Sequence, residues 1–400
     1  MFALLVWPVI WTGRQTTPEA YDQETYHLPA IRFLIDQESN FREFPCPNLP
    51  GYHLVMATAS RFVGEGRWLQ WINSFFGLAV VLIVFAYATT VIELWTAFVL
   101  VLPLLCSSYL LKGSIWLMTD NAAWLMVVLA LGDALTARRL TPWRCIGWGA
   151  LVIGAVLVRQ THIWLVIPMA YAFLGGISEQ KGAVRAQSVT AGLMSILALF
   201  LLLAAAWNLW GGPVPPAFVA IHWVHINLTS ITLAMALLGF FGLFYPKPKN
   251  SLPWWGGFIG LLTALLWPTA YDIAQGRWGG TVWELARRVP TIGRRSLLFP
   301  PLAIMGGILL ASWGCAITAD PLRRRRAILL CVAFMSWLVV QPLNSQTFQR
   351  YAEPMVLILL IWFSAFCVFE KKPSNDKWHW LSPLLLGVMQ LAVTLLSIWK

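Results

Sequence analysis

The sequence predicts an all-α, polytopic membrane protein, and three observations carry that reading. Only 11% of the 400 residues are charged while 58% are apolar, about half the charged fraction of an ordinary soluble chain. Apolar runs rich in Leu, Val, Ala and Trp recur from end to end, separated by short polar connectors. Lys and Arg collect in alternate connectors, as the positive-inside rule requires of a chain that crosses a bilayer repeatedly.

Those basic connectors fix the sides. They hold Arg138, Arg139 and Arg144; Lys181 and Arg185; Lys247 and Lys249; Arg323 to Arg326; and Lys371, Lys372 and Lys377. With these five on the cytoplasmic side, spans fall at 1–13, 69–90, 95–113, 120–136, 145–159, 161–176, 188–210, 217–244, 252–268, 297–316, 327–343, 351–369 and 380–399. That makes about thirteen transmembrane helices, with the N-terminus inside and the C-terminus outside. The first span is short and has neither a basic leader nor a small-residue cleavage site, so it reads as an uncleaved helix. Residues 52–63 are also apolar, but at about 1.5 Å per residue they cover only about 18 Å of a core about 30 Å thick. They are expected as a juxtamembrane helix in the outer interface, introduced by Asn48-Leu49-Pro50-Gly51.

The whole of 1–400 reads as one integral membrane domain with long outer loops at about 14–68 and 269–296, and no internal repeat or low-complexity tract is visible. The formal charge of +11 comes from topology signals in short loops, so no nucleic-acid partner is implied. The six cysteines, at 46, 106, 145, 315, 331 and 367, form no CxxC and no two share an outer loop, so neither a disulfide nor a zinc framework is implied.

With sides assigned, the unusual polar residues gather outside. In the first outer loop Thr17-Pro18-Glu19 reads as a helix start. Asp22 and Glu24 follow, about 200° apart on a regular helix, so that one of them is the working carboxylate unless the turn is irregular. Both also fit as solvated loop acids. Asp120 opens an apolar helix, where an acid caps free N–H groups and also suits the wall of a site. Arg159 lies in the turn Val158-Arg159-Gln160-Thr161-His162 with little loop to solvate it. Such a guanidinium demands an anion, either a structural partner or a phosphate. His222 and His225 share a helix face and read as hydrogen-bonding histidines, since no third metal ligand accompanies them. The loop 269–296 carries Arg277, Arg287, Arg288, Arg294 and Arg295 against Asp272 and Glu284. In it Val282, Leu285, Ala286 and Val289 have helical spacing, predicting an interfacial helix that holds anionic headgroups or guides a lipid-linked phosphate. The 24 tryptophans are mostly aromatic-belt anchors.

Four segments in order resemble a known family: Asp22-Gln23-Glu24-Thr25-Tyr26-His27-Leu28-Pro29, Leu49-Pro50-Gly51-Tyr52, Met118-Thr119-Asp120, and Arg159-Gln160-Thr161-His162-Ile163-Trp164. They are similar to the dolichyl-phosphate-glucose alpha-1,2-glucosyltransferases, which belong to the GT-C membrane glycosyltransferases. Trp207-Asn208, Gly211-Gly212, His225 and Arg350-Tyr351 are weaker echoes. Gln23 stands where the family carries its first acid, with Asp22 one residue earlier, and Phe348 stands where the family tends to carry an acid before Arg-Tyr.

The resemblance implies a GT-C-like hexosyltransferase, moving glucose by inversion from a polyprenyl-phosphate-linked sugar donor to a lipid-linked or free glycan acceptor, surrounded by membrane lipids. It implies Glu24 or Asp22 as the base, with Asp120 orienting acceptor or base. Arg159 and then Arg350 would neutralise the leaving phosphate, with His27, Gln160, His225 and Tyr351 as further substrate-binding residues. Displacement from a lipid phosphate requires no nucleotide-chelating metal, and there is no compact DxD cluster, so neither metal nor other cofactor is expected. The expected location is a bacterial inner membrane with a periplasmic site, with the endoplasmic reticulum membrane second. The rival reading is a lipid-linked sugar transporter or flippase, or a non-catalytic lipid-binding subunit; a transporter would show ionisable groups near the midplane.

Overall fold

A computed structural model describes residues 1–13, 17–38, 40–176, 182–222, 226–247, 253–269, 278–315, 317, 321–369 and 378–398. Its described residues are predominantly helical, and the protein is a polytopic helical membrane protein. Arg67–Thr89, Ala183–Trp210, Pro321–Leu343, Gln349–Val368 and Trp380–Ile398 are long and apolar enough to cross a bilayer. Leu94–Leu105 and Ser108–Ile115 meet the same test together but are bent by 67°, the geometry of a broken span or a re-entrant loop. Pro103 lies in the last turn before the break, which falls at Cys106 and Ser107.

Among the described residues, not every expected span is one long unbroken helix. Phe2–Thr12, Pro142–Val158, Thr229–Gly242, Trp254–Leu266 and Phe299–Cys315 are apolar helices of 10–17 residues. The expected span 161–176 is a relay of a 3-10 stretch Gln160–Leu165, a helix Val166–Tyr171 and a π-turn Ala172–Gly176. In the expected span 217–244 the described residues form the helices Val219–His222 and Thr229–Gly242, with 226–228 outside either. Asn227 provides the reason: its Oδ1 accepts from the Thr229 N–H at 3.2 Å, which starts a new helix there. Hydropathy integrates over such breaks because they change the backbone without changing the mean polarity.

The chain divides into two compact units, residues 1–83, 110–224 and 392–400 in the first, and 84–109 and 225–391 in the second. In the first unit, Pro142–Val158 packs against both Thr119–Thr136 and Ala183–Trp210. A Cβ on Gly149 would stand 2.1 Å from the Ser195 Cβ, so only glycine permits that approach. The helix expected at 52–63 is present as Gly51–Val63. It buries Tyr52, His53, Met56, Ala57 and Ser60 on one stripe and exposes Leu54, Val55 and Phe62, the spacing of an amphipathic helix.

The second unit is built around Thr229–Gly242, Phe299–Cys315 and Trp254–Leu266, which meet backbone to backbone. A Cβ on Gly306 would lie 1.9 Å from the Met235 carbonyl oxygen, and one on Gly260 1.9 Å from that of Ala303. Small residues at such crossings are how apolar helices associate where no water drives them together. Two minimal β pairs lie in this unit, Trp278–Gly279 parallel to Thr347–Phe348 and Thr291–Ile292 antiparallel to Arg295–Ser296, which an all-α reading did not include. The predicted interfacial helix forms at Thr281–Arg288 but uses a different face. Val282, Trp283 and Ala286 are buried while Leu285 is exposed, because Trp283 donates to the Thr347 carbonyl and packs on Phe299. Arg277 and Asp272 of that loop lie outside the described residues.

Candidate functional site

In the first unit the site begins with a turn that is not an α-helix. The helix Pro18–Asp22 widens at Gln23–His27 into a π-turn before resuming at Leu28–Ile35. Pro29 accounts for this: in an α-helix its ring would meet the carbonyl of Thr25, and the wider turn relieves the clash. The result sorts the side chains. Asp22 is half-buried, Gln23 and His27 are buried and Glu24 is exposed. Glu19, also buried, pairs with Lys112 at 3.8 Å.

Gln23, in the place of the family's first acid, is a brace. Its carbonyl oxygen accepts from the Leu117 backbone N–H at 2.9 Å and from Gln70 at 3.0 Å, and its amide donates to Glu24 at 3.0 Å. Leu117 leads directly into the helix Thr119–Thr136, which carries Asp120 in its first turn. Asp120 Oδ1 takes the Nη1 of Arg159, the residue that ends the helix Pro142–Val158 in extended backbone. Both side chains are about nine-tenths buried, at 10% and 11% exposed. The other carboxylate oxygen of Asp120 is buried with no hydrogen-bond partner among the described residues.

The first loop is tied to this ion pair from above. Asn48 donates to Thr119 Oγ1 at 3.2 Å, and the Leu49 N–H donates to the Gln160 carbonyl oxygen at 3.3 Å. Gln160 Nε2 in turn donates to the Pro47 and Pro213 carbonyls at 2.7 and 3.2 Å. Gly51 lets the loop settle on the end of the helix that Arg159 closes, since a Cβ there would stand 2.8 Å from the Leu157 Cβ. Tyr52 then reaches down to Asn73 at 2.9 Å, and Asn73 donates to the Gly113 and Trp116 carbonyls at 2.8 and 2.7 Å.

Behind the π-turn His27 meets two residues that sequence reasoning assigned no role. Its Nδ1 lies 3.0 Å from His53 Nε2, and the Cys46 sulfur is close to both. Burial pushes the Cys46 thiol up to about 12; the Asn48 backbone N–H and the Arg159 charge oppose that, and Asp22 adds to it. Burial, then His27, holds His53 well below its usual range. Burial raises Tyr52, with smaller contributions from Cys46 and Asp120. Burial also raises Tyr26, followed by Tyr21, Asp22 and Cys46. These mutual effects place Asp22, Cys46, Asp120 and Arg159 within one electrostatic neighbourhood.

Of the residues singled out in sequence, Asp22, His27, Asp120, Arg159 and Gln160 are thus gathered in one unit, with Glu24 at its exposed edge. Arg350 and Tyr351 belong to the second unit. There the Arg350 guanidinium lies 5.0 Å from the Phe348 ring centre and 5.1 Å from that of Tyr351, and it donates to the Tyr351 hydroxyl at 3.2 Å. His222, half-buried, lies against Phe218, while His225 lies outside the described residues. Sequence reasoning missed Gln23, Cys46, His53 and Asn73. Only Asn73 carried a usable signal, as an amide inside an apolar span.

Fold and site together define a helical membrane protein with a buried acid–guanidinium pair roofed by its first long loop. No family model matches the chain, and no curated protein matches it. Among solved structures the chain is similar to the crystal structure of ArnT from Cupriavidus metallidurans in the apo state, with 15% identity and a TM-score of 0.41, over 98% of this chain and 76% of that one. A likeness of that degree says nothing about activity.

Proposed function

We propose that this protein is a GT-C-type glycosyltransferase that moves a sugar, glucose by our reading, from a polyprenyl-phosphate carrier to an acceptor glycan hydroxyl with inversion. The observation that carries the reading is the convergence of the four motif segments: the first loop, Leu49, Asp120 and Arg159-Gln160 are bonded to one another across up to 113 positions of sequence. Asp22 is the preferred base, because it is half-buried beside Gln23, which ties the turn to the helix carrying Asp120, whereas Glu24 is exposed. The base takes the acceptor hydroxyl proton as that oxygen attacks the anomeric carbon. The bond from that carbon to the phosphate oxygen breaks, and polyprenyl phosphate leaves with the electron pair.

In this mechanism Arg159, fixed by Asp120, supplies positive charge where the phosphate develops its own. The unmatched Asp120 oxygen suits a hydroxyl of the acceptor. Gln160 is committed to the backbone at both ends of its amide, so it acts by positioning the loop. The loop charge asymmetry supports a reading in which this site faces the periplasm of a bacterial inner membrane. The test is transfer by the purified protein in detergent, offered polyprenyl-phosphate glucose or mannose with a panel of lipid-linked and free glycans. Wild-type turnover that falls about 100-fold or more in Asp22→Asn agrees with the loss of a general base. Donor binding without turnover, or full activity in both Asp22→Asn and Glu24→Gln, overturns the reading.

A lipid-linked sugar transporter has one observation in its favour. Glu353 is buried in the helix Gln349–Phe363, where Ser107, Gln349 and Gln390 all donate to its carboxylate at 2.6, 2.7 and 3.1 Å, and intramembrane acids often mark transport paths. It stands only about one turn from the start of that helix, and its donors are complete, which suits a structural acid. Movement of lipid-linked sugar across liposomes by Asp22→Asn protein would favour the transporter.

A further inference from the structure

We propose that His27, Cys46 and His53 form a binding site for a thiophilic divalent metal, zinc by preference, that staples the first loop to the two helices beneath it. The inference concerns a site distinct from the acid–guanidinium pair and stands whether or not the protein transfers sugars. The three residues come from three segments: His27 ends the π-turn, Cys46 lies in the connection 44–50, and His53 is the third residue of the helix Gly51–Val63. All three are buried, at 4%, 0% and 0% exposed, and their ligating atoms lie within 4.8 Å of one another.

Two imidazoles and one thiolate are a donor set that zinc takes readily, and three protein ligands leave one tetrahedral position for a further ligand. The histidine nitrogens are already 3.0 Å apart. Two nitrogens on one tetrahedral zinc, at about 2.0–2.1 Å each, stand about 3.3 Å apart, so a small rotation of each ring admits the ion. The ring planes are nearly parallel at 18° with centroids 5.3 Å apart, so the rings meet edge to edge and share a single proton. The sulfur must close in on the nitrogens from a separation of up to 4.8 Å.

The surroundings favour an ion over an ordinary core contact. The Asn48 backbone N–H points to the Cys46 sulfur, which is how thiolate ligands are supported in metal sites. His53 Nδ1 is buried with no hydrogen-bond partner among the described residues. The proton count balances simply. The proton between the rings passes to the outer nitrogen of its imidazole, the thiol proton is lost, and each metal ion bound releases one proton.

The experiment is a metal titration of the purified full-length protein in detergent after chelator treatment, with cobalt as the spectroscopic probe and zinc as competitor. Expected are one equivalent bound, a thiolate-to-cobalt charge-transfer band that zinc abolishes, and release of one proton per zinc. Cys46→Ala and His53→Ala should lose the band and at least tenfold in affinity. X-ray absorption on wild-type protein loaded with zinc should show one sulfur and two imidazoles, which settles the matter if the variants do not fold. Wild-type protein that takes up no cobalt, a zinc shell of oxygen and nitrogen only, or a folded Cys46→Ala that binds as tightly as wild type overturns the proposal.

Discussion

Asp120 and Arg159 show how far one residue pair reaches. Their ion pair is nearly buried, so removing one partner strands a charge away from water, at a cost of about 3–5 kcal/mol. Arg159→Met should therefore lower the unfolding midpoint in detergent more than the double change Asp120→Asn with Arg159→Met does, a difference that a thermal-shift series reads directly. His53 makes a second prediction, for the metal-free protein. Its folded-state affinity for protons is depressed by burial and His27, so below about pH 6.5 the unfolded chain binds a proton that the folded one refuses. Stability is then fully present above that pH and falls on acidification by up to about 1.4 kcal/mol per pH unit. His53→Gln should flatten that acid limb. Cys46 works in the opposite direction: raised to about 12 in the folded state, it keeps its proton while the unfolded chain loses one above about pH 8.5. The alkaline limb should therefore be shallower in Cys46→Ala.

Elements explain why those residues meet. The π-turn at Gln23–His27 exists because Pro29 follows it, and Gln23 locks it to the start of the helix that carries Asp120. Gln23→Leu removes the acceptor for a buried backbone N–H, a loss of about 1–3 kcal/mol, and should lower the thermal midpoint even though no charge is touched. In the second unit the helix crossings depend on absent side chains. Gly306→Val places atoms where the Met235 carbonyl now lies, and overpacking of about 1–3 kcal/mol or more is expected. Loss of the monodisperse peak in size-exclusion chromatography would register it, whereas the same substitution at Gly314, which has open space around its Cβ direction, should leave the peak intact.

The molecule as a whole is set by where its charge lies. The Lys and Arg clusters in alternate connectors predict that residue 38, in the first long loop, and residue 139 face opposite sides of the membrane. Single cysteines placed at Glu38 and Arg139 of a variant lacking the native six should be labelled by an impermeant maleimide from opposite sides of sealed vesicles. Labelling from the same side would remove the assignment of the first loop to the outer face.

The helical membrane class was determined by sequence alone, because burial in lipid leaves a mark on composition that no tertiary contact can erase. So was the existence of a helix near 52–63, since its length and apolar run are a local signal. Tertiary structure decided what the polar residues do to one another. It paired Asp120 with Arg159 across 39 positions, turned Gln160 inward onto backbone, exposed Glu24 and brought Cys46 beside His27 and His53. No periodicity encodes such meetings. They depend on a proline that widens one turn and on glycines that let backbones approach, and so become visible only when chain segments far apart in sequence are packed together.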